Sequence, residues 1–197
     1  EAGFGIKSAG MMLGKIFMRA GYELFDYTEY PSLIRGGHNV FQLIVDTRPV
    51  NSVTEKIDVL VALNQNTIKE NFDDLASGGV LIYDTDKIKI SSAKLKNAKV
   101  DGIGIPLTTF AKESGGEVMR NVVALGATLA LVDQKLLIAN KVIRENFKNK
   151  GPKIIANNLK AVKAGFDFVI KEYKKDFPCD LPTLKPKDNI LISANES

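Results

Sequence analysis

The segment IDVLVAL, residues 57–63, restricts the fold more than any other part of the sequence. A strand that is apolar along its length must be covered on both faces, and such strands occur inside parallel sheets with helices on each side. A helical pattern follows in NQNTIKENFDDLA and is expected to close at Gly78-Gly79, and VLIYD, residues 80–84, is the next predicted strand. Strands that alternate with helices predict an α/β fold, with a mostly parallel sheet flanked by helices.

The sequence before this segment predicts a loop, a helix and two strands. Glycines open the chain, apolar residues then recur at helical spacing up to residue 20, and Gly21 stands where a helix C-terminus is expected. The predicted strands are YELFDYTEY (22–30) and HNVFQLIVD (38–46), and an irregular, glycine-rich connection joins them.

The sequence after residue 84 predicts β structure followed by helices. A β-rich stretch reaches Ile105, and Pro106 is well placed as the first residue of another helix. From about Val118 the apolar spacing is helical, so the C-terminal half is expected to be helical and to pack on the sheet. Three prolines in a polar setting mark residues 176–188 as an extended linker.

Composition excludes several classes of protein. With 197 residues, of which 45% are hydrophobic and 25% charged, the chain is expected to form one globular domain. A single cysteine and a single histidine exclude a disulfide framework, a Cys/His zinc site and an iron–sulfur cluster built by this chain alone, and they favour a reducing compartment. The net charge of +4 comes from lysines concentrated in residues 141–187, which is typical of a solvated helical surface. No nucleic-acid partner is therefore expected. No apolar run approaches the roughly 18 residues of a membrane helix, so no membrane partner is expected either, and the predicted location is cytoplasmic.

Gly3-Phe4-Gly5 is the first candidate binding element. Residues without a β-carbon let a ligand approach the backbone, and the start of the helix that follows offers unpaired N–H groups to an anion. Lys7 or Ser8 would add a contact. A glycine turn between a strand and a helix is also needed for packing in many α/β folds, so both a ligand role and a structural role stay open.

The loop from Tyr30 to Asn39 is the second candidate. Pro31 stiffens its start, Gly36-Gly37 permits positive φ, and Arg35 can hold a carboxylate or phosphate with two parallel hydrogen bonds. His38 is the only histidine of the chain. It is interpreted as a hydrogen-bonded residue that holds the loop in preference to a catalytic base, because no Ser or Cys nucleophile motif lies nearby.

Asp84 and Asp86 follow the second buried strand. Two neighbouring carboxylates can bind a metal ion, but an aspartate at a strand end followed by another in a turn is also a common turn pattern. The turn is the favoured interpretation, and no metal ligand is assigned.

Several segments, taken in order, carry a family resemblance. They are GFGIKSAG (3–10), LGKIFMRAG (13–21), EYPSLIRGGHN (29–39), DVLVAL (58–63), NVVALGAT (121–128) and FKNKGPKIIANNLKAVKAG (147–165). With them, residues 1 to about 173 resemble the γ domain of 2-oxoacid:ferredoxin (acceptor) oxidoreductases. Ala2 departs from the family pattern, since a further glycine is usual there.

The resemblance implies an enzyme complex in which thiamine diphosphate decarboxylates a 2-oxoacid, iron–sulfur clusters pass the electrons to ferredoxin, and coenzyme A takes the acyl group. The γ domain of the family is associated with coenzyme A, and that role carries over to the two glycine loops and one late residue. The candidate cofactor-binding residues are Gly3, Phe4, Gly5, Lys7, Arg35, Gly36, Gly37, His38 and Asn121. No catalytic residue is assigned, because thiamine diphosphate, Mg and the clusters are expected in the partner α and β parts of the complex.

The last residues, NILISANES (189–197), resemble the start of the α segment in γ–α fusions. The expected organisation is a γ domain at 1–175 without its first strand, a linker at 176–188, and the truncated start of an α segment. The gene is expected to extend beyond both ends, and the isolated chain is expected to lack oxidoreductase activity.

Two alternatives remain open. One is a purely structural assembly module whose glycine loops only pack against neighbours. The other is a free-standing dinucleotide-binding redox domain, against which stands the lack of an acidic residue in register after a full G-x-G-x-x-G.

Overall fold

Strands and helices alternate through the first part of the chain, and helices alone follow. The structure is a computed structural model that describes residues 5–29, 39–173 and 181–185. In chain order the elements are α1 (Ile6–Arg19), β1 (Glu23–Glu29), β2 (Val40–Asp46), β3 (Ile57–Ala62), α2 (Gln65–Asn71), β4 (Leu75–Asp84), α3 (Ser92–Ala98), β5 (Asp101–Ile105), α4 (Leu107–Glu113), α5 (Arg120–Leu131), α6 (Leu136–Asn146) and α7 (Pro152–Glu172). The predicted α/β fold with a helical C-terminal half is confirmed.

The described strands form two separate sheets. β3, β4 and β5 are parallel, and β4 lies in the centre. β1 and β2 pair antiparallel, with Glu23 opposite Asp46 and Glu29 opposite Val40. The parallel sheet flanked by helices is therefore confirmed for β3 to β5, whereas the two N-terminal strands form an antiparallel pair of their own.

β4 shows why an apolar run predicts a strand covered on both faces. Val80, Leu81 and Ile82 are consecutive, and each is at most 1% exposed. Because side chains alternate along a strand, Val80 and Ile82 face the main core, which the C-terminal helices cover, while Leu81 faces a smaller cluster. That smaller cluster includes Ile68 and Phe72, which belong to α2 and the turn after it.

The prediction that Gly78-Gly79 closes a helix is wrong. α2 ends at Asn71, a short 3₁₀ turn follows, and both glycines lie inside β4. Gly78 has a φ of 85°, and the pairing of β3 with β4 changes register between Ile57 and Val59. The glycines therefore accommodate an irregularity at the start of β4.

The predicted β-rich stretch up to Ile105 is also wrong in part, because it contains α3. The side chain of Ser91 accepts a hydrogen bond from the backbone N–H of Lys94 at 3.2 Å and caps this helix. The predicted end of α1 is confirmed, since Gly21 follows it with a φ of 103°. Pro106 lies one position earlier than predicted, because it is the residue before α4 and not its first residue.

α5 and α7 cross at very short range. A methyl group added at Gly126 would overlap the carbonyl oxygen of Val162, and one added at Gly165 would overlap the carbonyl oxygen of Val123. The two glycines thus let the backbones touch, and α5 is buried from Asn121 to Leu131. This crossing fixes the position of α5 above the sheet.

In the part of the chain that the structure describes, no helix combines the length and the apolar character needed to cross a membrane.

Candidate functional site

The carboxyl ends of β4 and β5 lie at the same edge of the parallel sheet. β4 ends at Asp84 and β5 at Ile105, and α4 begins two residues after β5. The backbone N–H of Thr85 donates to the carbonyl of Ile105 at 2.9 Å and ties the two strand ends together. Ligands of open α/β sheets bind outside the carboxyl ends of the strands, which makes this edge the candidate site.

Asp84 accepts several hydrogen bonds at this edge of the sheet. Its side chain is fully buried, and Oδ2 accepts a hydrogen bond from the hydroxyl of Thr108 at 2.6 Å. Oδ1 accepts from the backbone N–H groups of Thr108 at 3.3 Å and Asp86 at 3.1 Å. Asp86 Oδ2 in turn accepts from the backbone N–H of Thr109 at 2.7 Å. Both carboxylates therefore serve as caps for α4 and its turn, which agrees with the turn interpretation of the sequence.

Arg120 brings α5 to the same edge. It is the first residue of α5, and its Nη1 lies 3.7 Å from Oδ2 of Asp84. The arginine side chain is 16% exposed, and its buried Nε has no hydrogen-bond partner within the described residues. The buried carboxylate thus forms an ion pair with Arg120 at the N-terminus of α5, and a small fraction of the arginine side chain stays exposed.

Gly5 and Asn121 lie side by side, although 116 positions separate them. Gly5 precedes α1 with a φ of 77°, a conformation that favours glycine. A methyl group added there would lie 3.7 Å from Nδ2 of Asn121, so the positive φ rather than lack of space requires the glycine. Lys7 lies in the first turn of α1 and is exposed. The structure thus brings the starts of α1 and α5 together.

The other predicted site residues, Gly3, Phe4, Arg35, Gly36, Gly37 and His38, lie outside the described residues. Their role in binding stays a prediction. Among the described residues, no group of three or more His, Cys, Asp or Glu side chains is placed to hold a metal ion.

Sequence reasoning missed Arg120 and Thr108. Arg120 directly precedes the predicted Asn121, but its contact with Asp84 joins positions 36 residues apart and leaves no periodic signal. The site combines the starts of two long helices with one guanidinium and one amide. Such a combination of groups is suited to binding an anion. The described residues provide binding groups at this edge, and we assign none of them a proton-transfer role.

Residues 1–168 match the family described as pyruvate ferredoxin/flavodoxin oxidoreductase. The chain belongs to this family. The resemblance found in the sequence motifs is therefore confirmed.

Individual relatives and structures agree with this assignment. The chain is 32% identical over 180 residues to ketoisovalerate oxidoreductase subunit VorA of Methanothermobacter marburgensis, covering 89% of this chain and 36% of the relative. A structure of 2-oxoglutarate:ferredoxin oxidoreductase from Magnetococcus marinus with 2-oxoglutarate, coenzyme A and succinyl-CoA bound matches with a TM-score of 0.88 and 27% identity, over 98% of this chain and 34% of that chain. The γ subunit of a keto/oxoacid ferredoxin oxidoreductase from Geobacter sulfurreducens matches with a TM-score of 0.68 and 25% identity, over 86% of this chain and 94% of that chain.

The share of each relative's length that the chain covers indicates which part of these oxidoreductases it corresponds to. It spans about a third of the length of the first curated relatives. It nevertheless covers almost all of a separate γ subunit. The chain is thus a γ-type domain of the 2-oxoacid:ferredoxin oxidoreductases.

Proposed function

We propose that this γ-type domain contributes to coenzyme A binding and to subunit assembly in an enzyme that converts a 2-oxoacid to an acyl-CoA. The observation that carries the proposal is the match of 98% of the chain to an oxidoreductase structure that holds coenzyme A and succinyl-CoA. In this proposal, thiamine diphosphate supplies the decarboxylation chemistry and iron–sulfur clusters pass electrons to ferredoxin. Both groups, with Mg, are assigned to the α and β parts.

The chemistry of the candidate site supports the coenzyme A role. Coenzyme A carries a pyrophosphate and a 3′-phosphate, and helix N-termini and guanidinium groups bind phosphates well. The starts of α1 and α5 lie together at Gly5 and Asn121, and Arg120 stands beside them in the chain. We assign Asn121 a hydrogen bond to the ligand and Arg120 an electrostatic contribution, with the predicted loop residues Arg35 and Gly36 completing the site.

The test of Asn121 uses the complete oxidoreductase that contains this chain. Asn121→Ala is expected to raise the KM for coenzyme A about 2- to 12-fold, the effect of one net hydrogen bond, and to leave the KM for the 2-oxoacid unchanged. The control is Asn66→Ala, which removes an exposed amide on α2. Unchanged coenzyme A kinetics in a normally assembled Asn121→Ala enzyme would count against the site.

The predicted loop is tested at Arg35. Arg35→Ala is expected to weaken coenzyme A binding by roughly 10- to 150-fold, because a charge-assisted hydrogen bond contributes about 1.5–3 kcal/mol. Arg35→Lys should recover only part of the loss, since an ammonium group cannot reproduce the planar fork. Weaker assembly with normal kinetics would instead identify the loop as an interface. Unchanged kinetics and assembly would remove the loop from the proposal.

A further inference from the structure

The C-terminal end of α1 carries a feature that the coenzyme A proposal does not use. The segment Leu181–Lys185, here called the clasp, lies against the domain just beyond α1. The phenol O–H of Tyr22 donates a hydrogen bond to the carbonyl of Pro182 at 2.6 Å. The side-chain amide of Gln134 donates to the Tyr22 oxygen at 3.2 Å. Tyr22 therefore holds the clasp backbone, and Gln134 holds the Tyr22 hydroxyl.

Gly21 makes room for the same segment. A methyl group added at Gly21 would overlap the carbonyl oxygen of Lys185 and would lie 3.1 Å from Cβ of Leu184. The backbone of the clasp thus approaches the backbone at the end of α1 as closely as a glycine permits. This contact is specific to the position, because Gly151, which also has a positive φ, has no atom within 4 Å of an added methyl group.

The clasp has the sequence of an extended, one-sided peptide. Pro182 and Pro186 disfavour helix at the residue before each of them. An extended polyproline-type chain has three residues per turn, so Leu181 and Leu184 share one face. Both leucines are partly buried and pack against the main core, while Thr183 is exposed.

Tyr22 is built into the domain as a fixed hydrogen-bond donor. It is 1% exposed, and its ring packs edge-on against Phe17 with centroids 5.9 Å apart. Burial raises the pKa of the Tyr22 phenol, and the hydrogen bond from Gln134 lowers it to a smaller extent. The hydroxyl therefore keeps its proton at neutral pH and donates a hydrogen bond to the carbonyl of Pro182.

We infer that the surface formed by Gly21 and Tyr22, with Gln134 holding the Tyr22 hydroxyl, is a docking groove for the extended clasp Leu181–Lys185, which fixes the point where the chain leaves the γ-type domain. The occupant is this chain itself, since the clasp is seated in the groove. When the clasp is docked, the backbone is held at residues 181–185, so any segment joined after residue 185 starts from a fixed position.

Backbone ¹⁵N relaxation of the full 197-residue chain tests the groove directly. In the wild-type chain we expect order parameters near 0.85 for the amides of Thr183, Leu184 and Lys185, and thermolysin should cut the Thr183–Leu184 bond slowly. Tyr22→Phe removes only the hydroxyl and should speed cleavage about 2- to 12-fold, the change in opening for one net hydrogen bond. Tyr27→Phe is the matched control, because it removes a hydroxyl from a half-exposed tyrosine on β1.

Two glycine variants distinguish the effect of blocking the groove from the effect of backbone strain at a positive φ. Gly21→Ala and Gly151→Ala both place alanine at positive φ, but only the first meets the clasp. Gly21→Ala should drop the clasp order parameters below about 0.6, whereas Gly151→Ala should leave them unchanged. Order parameters already below about 0.6 in the wild type, or equal cleavage rates in Tyr22→Phe and the wild type, would overturn the inference.

Discussion

Gly126→Ala tests the close crossing of α5 and α7, which carries the start of α5 at the candidate site. A methyl group at Gly126 would lie 2.8 Å from the carbonyl carbon of Val162, and one at Gly165 would lie 2.9 Å from that of Val123. Non-bonded carbon atoms prefer separations of about 3.5–4.0 Å. Because the opposing atoms belong to the backbone, no side-chain rotation relieves the overlap. The two helices must therefore separate by roughly 1 Å at the crossing.

The expected loss of stability follows from two opposing effects. Overpacking costs about 1–3 kcal/mol, and the backbone contact places this crossing in the upper half of that range. Alanine offsets about 1 kcal/mol of the loss, since it favours a helix interior more than glycine does. The net decrease in the free energy of unfolding is about 1–2 kcal/mol, which lowers the Tm of a domain of this size by about 2–8 °C.

The assay is urea and thermal unfolding followed by circular dichroism, with Gly10→Ala as the matched control. A methyl group at Gly10 would lie 2.5 Å from Cγ of the Phe41 ring, a side chain that can turn aside, so this variant should lose less stability. Gly126→Ala and Gly165→Ala combined should lose less than the sum of the single losses, because one methyl group already separates the helices. A Gly126→Ala chain as stable as the wild type would refute the close crossing.

Two further predictions concern ion pairs. Asp84→Asn should lower the free energy of unfolding by about 2–4 kcal/mol in urea titrations, because the largely buried Arg120 loses its carboxylate; a loss under about 0.5 kcal/mol would contradict the network. Glu145 accepts a hydrogen bond from Arg19, which holds the pKa of the Glu145 carboxyl below its ordinary value. A lowered folded-state pKa stabilises the fold above the ordinary value of about 4.3, and this stabilisation fades as the pH falls through the lowered pKa. The Glu145→Gln variant should therefore be less stable than the wild type by about 0.2–1 kcal/mol at pH 7 and equally stable in acid. Glu55→Gln, at an exposed glutamate, is the control. A difference in stability that persists in acid would contradict the Arg19–Glu145 ion pair as its source.

The parts of the fold that were predictable are those in which burial leaves a pattern in the sequence. Residues 80–82 are apolar in succession because two different cores cover the two faces of β4. α7 has a buried face at helical spacing over 21 residues, and it lies within the part of the chain that the apolar spacing predicts to be helical. In both cases the local sequence carries the information that sets the structure.

The wrong predictions fall where that pattern is weak. α3 has no fully buried side chain, and only Leu95 and Ala98 pack partly against the smaller cluster, so its apolar periodicity is weak and its Ser91 cap is the clearest local signal. Gly78-Gly79 is compatible with a helix end or with an irregular strand, and only the pairing of β4 with β3 decides between them. For the site, the sequence marks Asp84 as a strand-end residue, but its partner Arg120 is distant in sequence and is identified only from the fold.

α1 connects the two functional proposals. Its N-terminal end lies beside Asn121 at the candidate coenzyme A site, and its C-terminal end lies beside the clasp. At 14 residues the helix spans roughly 21 Å, so the two regions lie at opposite ends of α1. Between them, Ile16 and Phe17 are buried in the main core, which holds the helix in one position. In the two proposals, the same helix presents its N-terminal backbone to an anion and anchors the departing chain at the other end, and we expect that each role can be removed without the other.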